Sequence, residues 1–154
     1  MKFLELKDVI KTNELLRRYV DFSKGFFIEL EAYSCKKTKE ERKNKTVGEP
    51  LCFFINALEM AFDNDDFTGY TMEQFVQIQT NKLLSDLKYI LFVYSKNEKE
   101  TSEYINYFNV LLKQTIGISN ANIYELTMKQ SKENVYVIYN KKMKRVLLVK
   151  AQCE

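Results

Sequence analysis

Histidine and tryptophan are both absent from this 154-residue chain, while proline occurs once and glycine four times. Histidine is the commonest metal ligand in proteins, and it is the side chain that titrates near neutral pH without a perturbing environment. Its absence excludes mechanisms that need a histidine base or a histidine-bound metal. With so few glycine and proline residues to interrupt them, the composition favours long helices.

Cysteine is also scarce, and the three residues, Cys35, Cys52 and Cys153, form no CxxC pair. An odd number at this spacing fits neither a disulfide framework nor a zinc site, so we expect reduced thiols. The first residues lack the apolar length of a secretory signal, and the most apolar stretch, residues 83–94, carries charged side chains. We therefore expect a cytoplasmic protein with no membrane contact, no cofactor and no metal.

The remaining composition is that of a chain that folds. Apolar residues make up 45% of it, charged residues 29% and aromatic residues 14%. The length is typical of one domain with one core. The net charge is only +3, but residues 113–154 contain eight Lys and Arg against three Glu. We predict a single domain, residues 1–154, with a basic C-terminal third.

Helical spacing of apolar residues dominates the first part of the chain. A stripe at steps of three and four predicts a first helix that includes residues 15–33. Residues 51–62 are apolar nearly all round, which predicts a central buried helix. Residues 72–94 keep the helical period, and residues 104–116 predict a further helix that runs antiparallel to them.

The spacing changes to two near the C-terminus. The pattern predicts two apolar strands, at residues 135–139 and 146–149. The polar residues 140–145 between them predict the turn of a β-hairpin. Residues 122–130 are open to two interpretations, a helix or a third strand. The predicted fold is α+β, with four to five helices in a helical part of about residues 1–117 and an antiparallel hairpin or three-stranded meander after it.

The acidic residues 63–75 share features with a calcium-binding loop. In an EF-hand loop, alternating oxygen ligands precede a Gly, and a bidentate Glu closes the site. With Gly69 at the turn position, the closing position falls on Phe75, which has no oxygen to offer. We therefore expect a polar loop followed by a capping box at Thr71 and Gln74.

Residues 112–126 resemble a helix-turn-helix motif. Such motifs need apolar residues that hold two short helices across a turn, and Gly117 stands at the turn, where a positive φ is required. The apolar positions are Leu112, Ile116, Ile118, Ile123 and Leu126. The predicted hairpin would then be the wing of a winged-helix domain, so the resemblance extends over about residues 109–149.

The resemblance implies a DNA-binding regulator whose second helix enters the major groove. It places one set of side chains against bases or phosphates, and the hairpin tip against the DNA backbone. The first set is Ser119, Asn120, Ala121 and Tyr124, and the second is Lys141, Lys142, Lys144 and Arg145. The positive charge of the C-terminal third agrees with this interpretation.

Nothing in the sequence points to catalysis, since no activated nucleophile pair or phosphate-binding Gly-rich loop is recognisable. We expect a non-enzymatic binding protein. The alternative to a DNA partner is a protein partner, bound through the aromatic-rich helices as by an inhibitor, an immunity protein or an antitoxin. A homodimer is compatible with either interpretation.

Overall fold

One antiparallel sheet of six strands organises the described part of the chain. The structure is a computed structural model, and it describes residues 1–17, 27–36, 48–95, 97–128 and 133–152. The strands are β1 (Lys2–Leu4), β2 (Phe27–Ser34), β3 (Phe75–Ile78), β4 (Asn122–Leu126), β5 (Glu133–Asn140) and β6 (Arg145–Gln152). Their order across the sheet is β1-β2-β6-β5-β4-β3, so the predicted hairpin β5–β6 occupies its centre.

Four α-helices lie within the described residues: α1 (Lys7–Arg17), α2 (Leu51–Ala61), α3 (Thr80–Ser95) and α4 (Glu98–Leu111). A π-helical turn, Leu112–Ile116, extends α4 and ends at Gly117, whose φ of 57° is left-handed. Helices α3 and α4 pack against each other across a very short connection, as the sequence predicts. None of the helices in the described ranges combines the length and apolar character needed to span a bilayer.

The central strands are covered on both faces, which explains why they are apolar throughout. Alternate residues of β5 and β6 point to opposite sides of the sheet. Tyr136, Ile138 and Leu147 face α1, α3 and α4, in one apolar cluster with Leu83 and Phe108. The intervening residues, Val135, Val137, Val146 and Leu148, face α2 in a second cluster. The fold therefore has three layers, with the sheet in the middle.

The α+β class is confirmed, but the sheet is larger than the predicted hairpin or meander. Residues 27–34 form β2 and not the second half of a helix; residues 18–26 lie outside the described residues. The reason is that Ile28, Leu30 and Ala32 also alternate with Glu29 and Glu31, so period two fits the segment as well. Pairing along the full length of β6 decides the outcome.

A second correction concerns the start of α3. The sequence pattern continues the helix back to residue 72, whereas residues 75–78 form β3 and α3 begins at Thr80. The capping box is confirmed, since the Gln74 carboxamide oxygen accepts from the Thr71 backbone N–H at 2.6 Å and Thr71 Oγ1 accepts from the Glu73 N–H. It caps one 3₁₀ turn (Met72–Gln74), after which the chain enters the sheet edge.

Of the two interpretations of residues 122–130, a helix or a third strand, the structure has the strand. Residues 118–120 make a single 3₁₀ turn, and residues 122–126 form β4, which pairs with β3 and β5. The second helix of a helix-turn-helix is therefore replaced by a strand. The sheet also contains β1, β2 and β3 from the first 117 residues, so the helical part is not helical throughout.

Candidate functional sites

The residues assigned to a DNA groove are not gathered on one surface. Ser119 and Asn120 are exposed on the 3₁₀ turn, and Ala121 packs partly against the apolar cluster that faces α4. Tyr124 lies on the other side of the sheet, where its ring centroid is 5.2 Å from that of Phe54. Tyr124 is thus a packing residue between the sheet and α2.

The positive residues at the hairpin tip are also divided. Lys141, Lys142 and Lys144 are exposed, as the sequence predicts. Arg145 is half-buried, and its Nη1 donates to the carbonyl oxygen of Thr115 at 2.6 Å. Arg145 therefore ties the hairpin to the π-helical turn that extends α4.

A buried asparagine fixes the conformation of this tip. Asn140 Nδ2 donates to the carbonyl oxygen of Ile116 at 2.8 Å, and Asn140 Oδ1 accepts from the Met143 backbone N–H at 3.0 Å. A Cβ on Gly117 would come within 3.1 Å of the same amide nitrogen. Glycine is needed there for both its positive φ and this close approach. The tip is thus held by hydrogen bonds that reach into the helical layer.

A basic cleft opens on the α2 side of the hairpin tip. It has a volume of about 450 Å³ and lies between the end of β2, the β5–β6 turn and the start of α2. Lys36, Lys141 and Lys144 contribute positive charge, and Glu49 contributes one carboxylate. Phe53 forms part of its apolar wall.

Two titratable groups that line the basic cleft stay neutral at physiological pH. Burial, with a smaller contribution from nearby Cys52, raises the pKa of the Cys35 thiol to about 12. Burial likewise raises the pKa of Tyr139 to about 12. Neither group becomes an anion at neutral pH, so the lysines keep the cleft electropositive.

The second candidate site is an apolar face on the outside of the helical layer, formed by α3 and α4. On α3, Tyr89 is 71% exposed and Phe92 is 47% exposed; on α4, Tyr107 is 53% exposed and Val110 is 52% exposed. Within each helix these residues lie opposite the side chains that pack on the sheet. We call this surface, with Val93, the outer aromatic face.

Two shallow depressions occur on the outer aromatic face. One, of about 370 Å³, is lined by Ser85, Lys88, Tyr89, Phe92 and Glu98; the other, of about 490 Å³, is lined by Glu103, Asn106, Tyr107 and Val110. Within the described lining, two carboxylates and one ammonium group therefore border the apolar residues. The sequence predicts a surface on aromatic-rich helices, but it does not identify these residues, because exposure depends on which side of each helix packs.

A buried lysine was missed by the sequence interpretation. Lys150 points to the α2 side of the sheet and is 6% exposed. Its Nζ lies 3.2 Å from Glu31 Oε1 and 3.6 Å from Glu29 Oε2, and 5.2 Å from the centroid of the Phe62 ring. Tyr33 donates its hydroxyl to Glu31 Oε2 at 2.7 Å. The available signal is a single lysine between the apolar residues 146–149 and Ala151.

The acidic loop gives no metal centre. Its side chains from Asp63 to Asp66 are exposed, and Asp66 Oδ1 accepts from the Thr68 backbone N–H at 2.8 Å. A hydrogen bond from the Thr68 side chain, with a smaller contribution from this backbone bond, lowers the pKa of Asp66. Among the residues that the structure describes, no group of three or more Cys, Asp or Glu is arranged to hold a metal ion. Cys35 is buried and Cys52 is half-buried, and Cys153 lies outside the described residues.

Comparisons with known proteins point to a likeness in fold. The chain superposes on two crystal structures of citrus MAF1 with TM-scores of 0.70 and 0.73, over 94% and 95% of its length and 97% and 96% of theirs. Sequence identity to them is 20% and 18%. Two uncharacterised proteins of Encephalitozoon cuniculi are each 29% identical to it, over 98% of this chain and 97% of theirs. No protein-family model matches the chain.

Proposed function

We propose that this chain is a non-enzymatic regulatory protein that acts by binding a partner protein through the outer aromatic face. The observation that carries the proposal is the exposure of Tyr89, Phe92, Tyr107 and Val110 on two adjacent helices. The likeness of fold to MAF1 supports a regulatory role, and MAF1 is a regulator of RNA polymerase III. RNA polymerase III is therefore the partner that we propose to test.

The exposed aromatic surface of α3 and α4 is unfavourable in water and is stabilised when a partner covers it. Burying apolar surface is worth about 25 cal/mol per Å², and contiguous apolar patches on soluble proteins commonly mark interaction sites. Tyrosine is enriched among the residues that dominate interface energies, because its ring is large, rigid and polar at one end. Tyr89 on α3 and Tyr107 on α4 have the largest exposed fractions among the residues of this face, and so are the expected anchors.

Charge around the outer aromatic face specifies the partner further. Glu98 and Glu103 border the apolar residues, with Lys88 as the one positive side chain lining the two depressions among the described residues. A complementary surface would present apolar side chains surrounded by lysine or arginine. Such rim charges mainly accelerate association and make it sensitive to salt.

The test compares variants of the outer aromatic face with a matched control. Tyr89→Ser combined with Phe92→Ser should weaken binding to purified RNA polymerase III at least thirtyfold, since one hot-spot residue is worth about 2 kcal/mol. Ile10→Ser is the control, because Ile10 is 46% exposed on α1, outside this face. Circular dichroism of each variant checks that the fold is retained.

Binding is measured by surface plasmon resonance at two salt concentrations. An unchanged affinity of the double variant would refute the assignment of the face. If the wild-type chain does not bind the polymerase at micromolar concentration, that partner is wrong, and affinity capture from the host with wild-type and double-variant baits then tests the face itself.

DNA binding is the second candidate function, and the exposure of Lys141, Lys142 and Lys144 favours it. The contacts of Tyr124 and Arg145 within the fold weaken it. A duplex titration decides the matter: neutralising the three lysines should lower the slope of log K against log salt by about 0.9 for each lost phosphate contact. No duplex binding at low salt and micromolar concentration would end this candidate.

A further inference from the structure

We propose that the basic cleft beside the β5–β6 turn is a binding site for a phosphate group, a ligand that goes beyond the partner-binding function. Lys36 follows β2, and Lys141 and Lys144 belong to the turn, so strands distant in sequence bring three ammonium groups to one concave surface. Among the residues that the structure describes, Glu49 is the one carboxylate that lines it, so this described lining carries an excess of two positive charges.

That charge excess matches a phosphate monoester, which carries about 1.5 to 2 negative charges at pH 7. Clefts lined by charge of one sign concentrate counter-ions more strongly than flat surfaces do, because low-dielectric walls focus the field. The neutral Tyr139 hydroxyl and Cys35 thiol, which also line the cleft, add no negative charge to that of Glu49. The apolar ring of Phe53 provides the wall against which the ester group would lie.

The backbone conformation of Lys144 also supports a ligand site in the cleft. Its φ is 51°, in the left-handed region that glycine or asparagine adopts with less strain. Two backbone hydrogen bonds hold this conformation. The Cys35 N–H donates to the Lys144 carbonyl oxygen at 2.8 Å, and the Lys144 N–H donates to the Lys141 carbonyl oxygen at 3.3 Å. Residues held in such sparsely populated conformations cluster at active sites and ligand-binding positions. A lysine thus stands where the turn alone would prefer a glycine.

The neighbouring Lys142 supplies a matched control. It lies in the same turn and is also exposed, but it is not among the residues that line the cleft. Replacing Lys142 removes the same charge from the same hairpin tip. A site with defined geometry distinguishes Lys141 and Lys144 from Lys142, whereas a diffuse positive surface does not.

The experiment is a nuclear magnetic resonance titration of the full chain with inorganic phosphate and with a phosphoserine peptide, at constant ionic strength. We expect saturable shifts of the amides of Lys36, Tyr139, Lys141 and Lys144 below about 10 mM, the range of weak specific sites. The combination of Lys141→Gln and Lys144→Gln should weaken binding at least tenfold, and Lys142→Gln should change it less than twofold.

Lys144→Gly separates binding from folding. Glycine relieves the positive φ, so this variant should melt at a higher temperature than wild type while it binds phosphate more weakly. If the phosphopeptide binds more tightly than inorganic phosphate, the natural ligand is a phosphorylated protein. If the two bind equally, the ligand is a free phosphate anion. Both results support the site. Shifts that do not saturate, or equal losses for Lys142→Gln and the double variant, overturn it.

Discussion

Replacing Lys150 with methionine should destabilise this protein strongly, although the residue is not part of either proposed binding site. The ammonium group lies between Glu31 and Glu29 at 3.2 Å and 3.6 Å, and the side chain is only 8% exposed. Methionine keeps most of the volume beneath Phe62 and removes the charge. The variant therefore leaves two partly buried carboxylates of β2 without the ammonium group that lies between them.

The size of the effect follows from how deeply each carboxylate is buried. Removing one partner of a fully buried ion pair costs about 3 to 5 kcal/mol, because the remaining charge is left desolvated. The Glu29 side chain is 38% exposed and that of Glu31 is 18% exposed, so water compensates in part. We expect a loss near the lower limit, about 3 kcal/mol. For a chain of this length, that lowers the melting temperature by about 10 °C.

Urea denaturation followed by circular dichroism measures the loss, with Lys88→Met as the control, because Lys88 is exposed on α3. Adding Glu31→Gln to Lys150→Met should restore part of the stability, since it removes one unpaired charge while the Gln oxygen still accepts from Tyr33. A free energy of unfolding for Lys150→Met within about 0.5 kcal/mol of the wild-type value, as is usual for a surface substitution, would refute this prediction.

Two further predictions concern buried titratable groups. Burial raises the pKa of Glu133 above its ordinary value of 4.5, against an opposing effect of Lys150. The stability that this carboxyl contributes is present below pH 4.5 and is lost as the pH rises through its folded value. Glu133→Gln should therefore be more stable than wild type at pH 7 and equal to it near pH 4; an equal difference at both pH values would contradict this. Cys35, whose pKa burial raises to about 12, should resist iodoacetamide at pH 8 until the chain unfolds. Peptide mapping by mass spectrometry tests this, and alkylation of native Cys35 at the unfolded rate would refute it.

Elements whose apolar pattern fits a single period are predicted well from this sequence. The buried helix α2, the pairing of α3 with α4, and the hairpin β5–β6 all belong to this group. Strand β2 does not, because its apolar side chains fit both helical and alternating periods, and only pairing with β6 resolves them. Strand β1 spans three residues, too few for any period to be visible. Long-range pairing therefore determines what local pattern leaves ambiguous.

The positions of the site residues show the same limit. A polar segment between two strands predicts that Lys141, Lys142 and Lys144 are exposed. It does not predict that Arg145 turns back to Thr115, because that depends on the register that pairs Arg145 with Asn140. A sequence likewise shows how many aromatic residues a helix carries, but exposure of Tyr89 follows from how α3 packs on the sheet.

The two proposed sites lie on different layers of the fold, and this makes them separable by experiment. Cys35, Phe53 and Tyr139 of the basic cleft belong to the cluster on the α2 side of the sheet, whereas α3 and α4 cover the other side. Substitutions at sites that share no partners and lie more than about 10 Å apart have additive effects. Tyr89→Ser should leave phosphate binding unchanged, and Lys144→Gly should leave binding at the outer aromatic face unchanged. A protein partner docked on α3 and α4 would thus leave the cleft open to its own ligand, and refutation of either site would not weaken the case for the other.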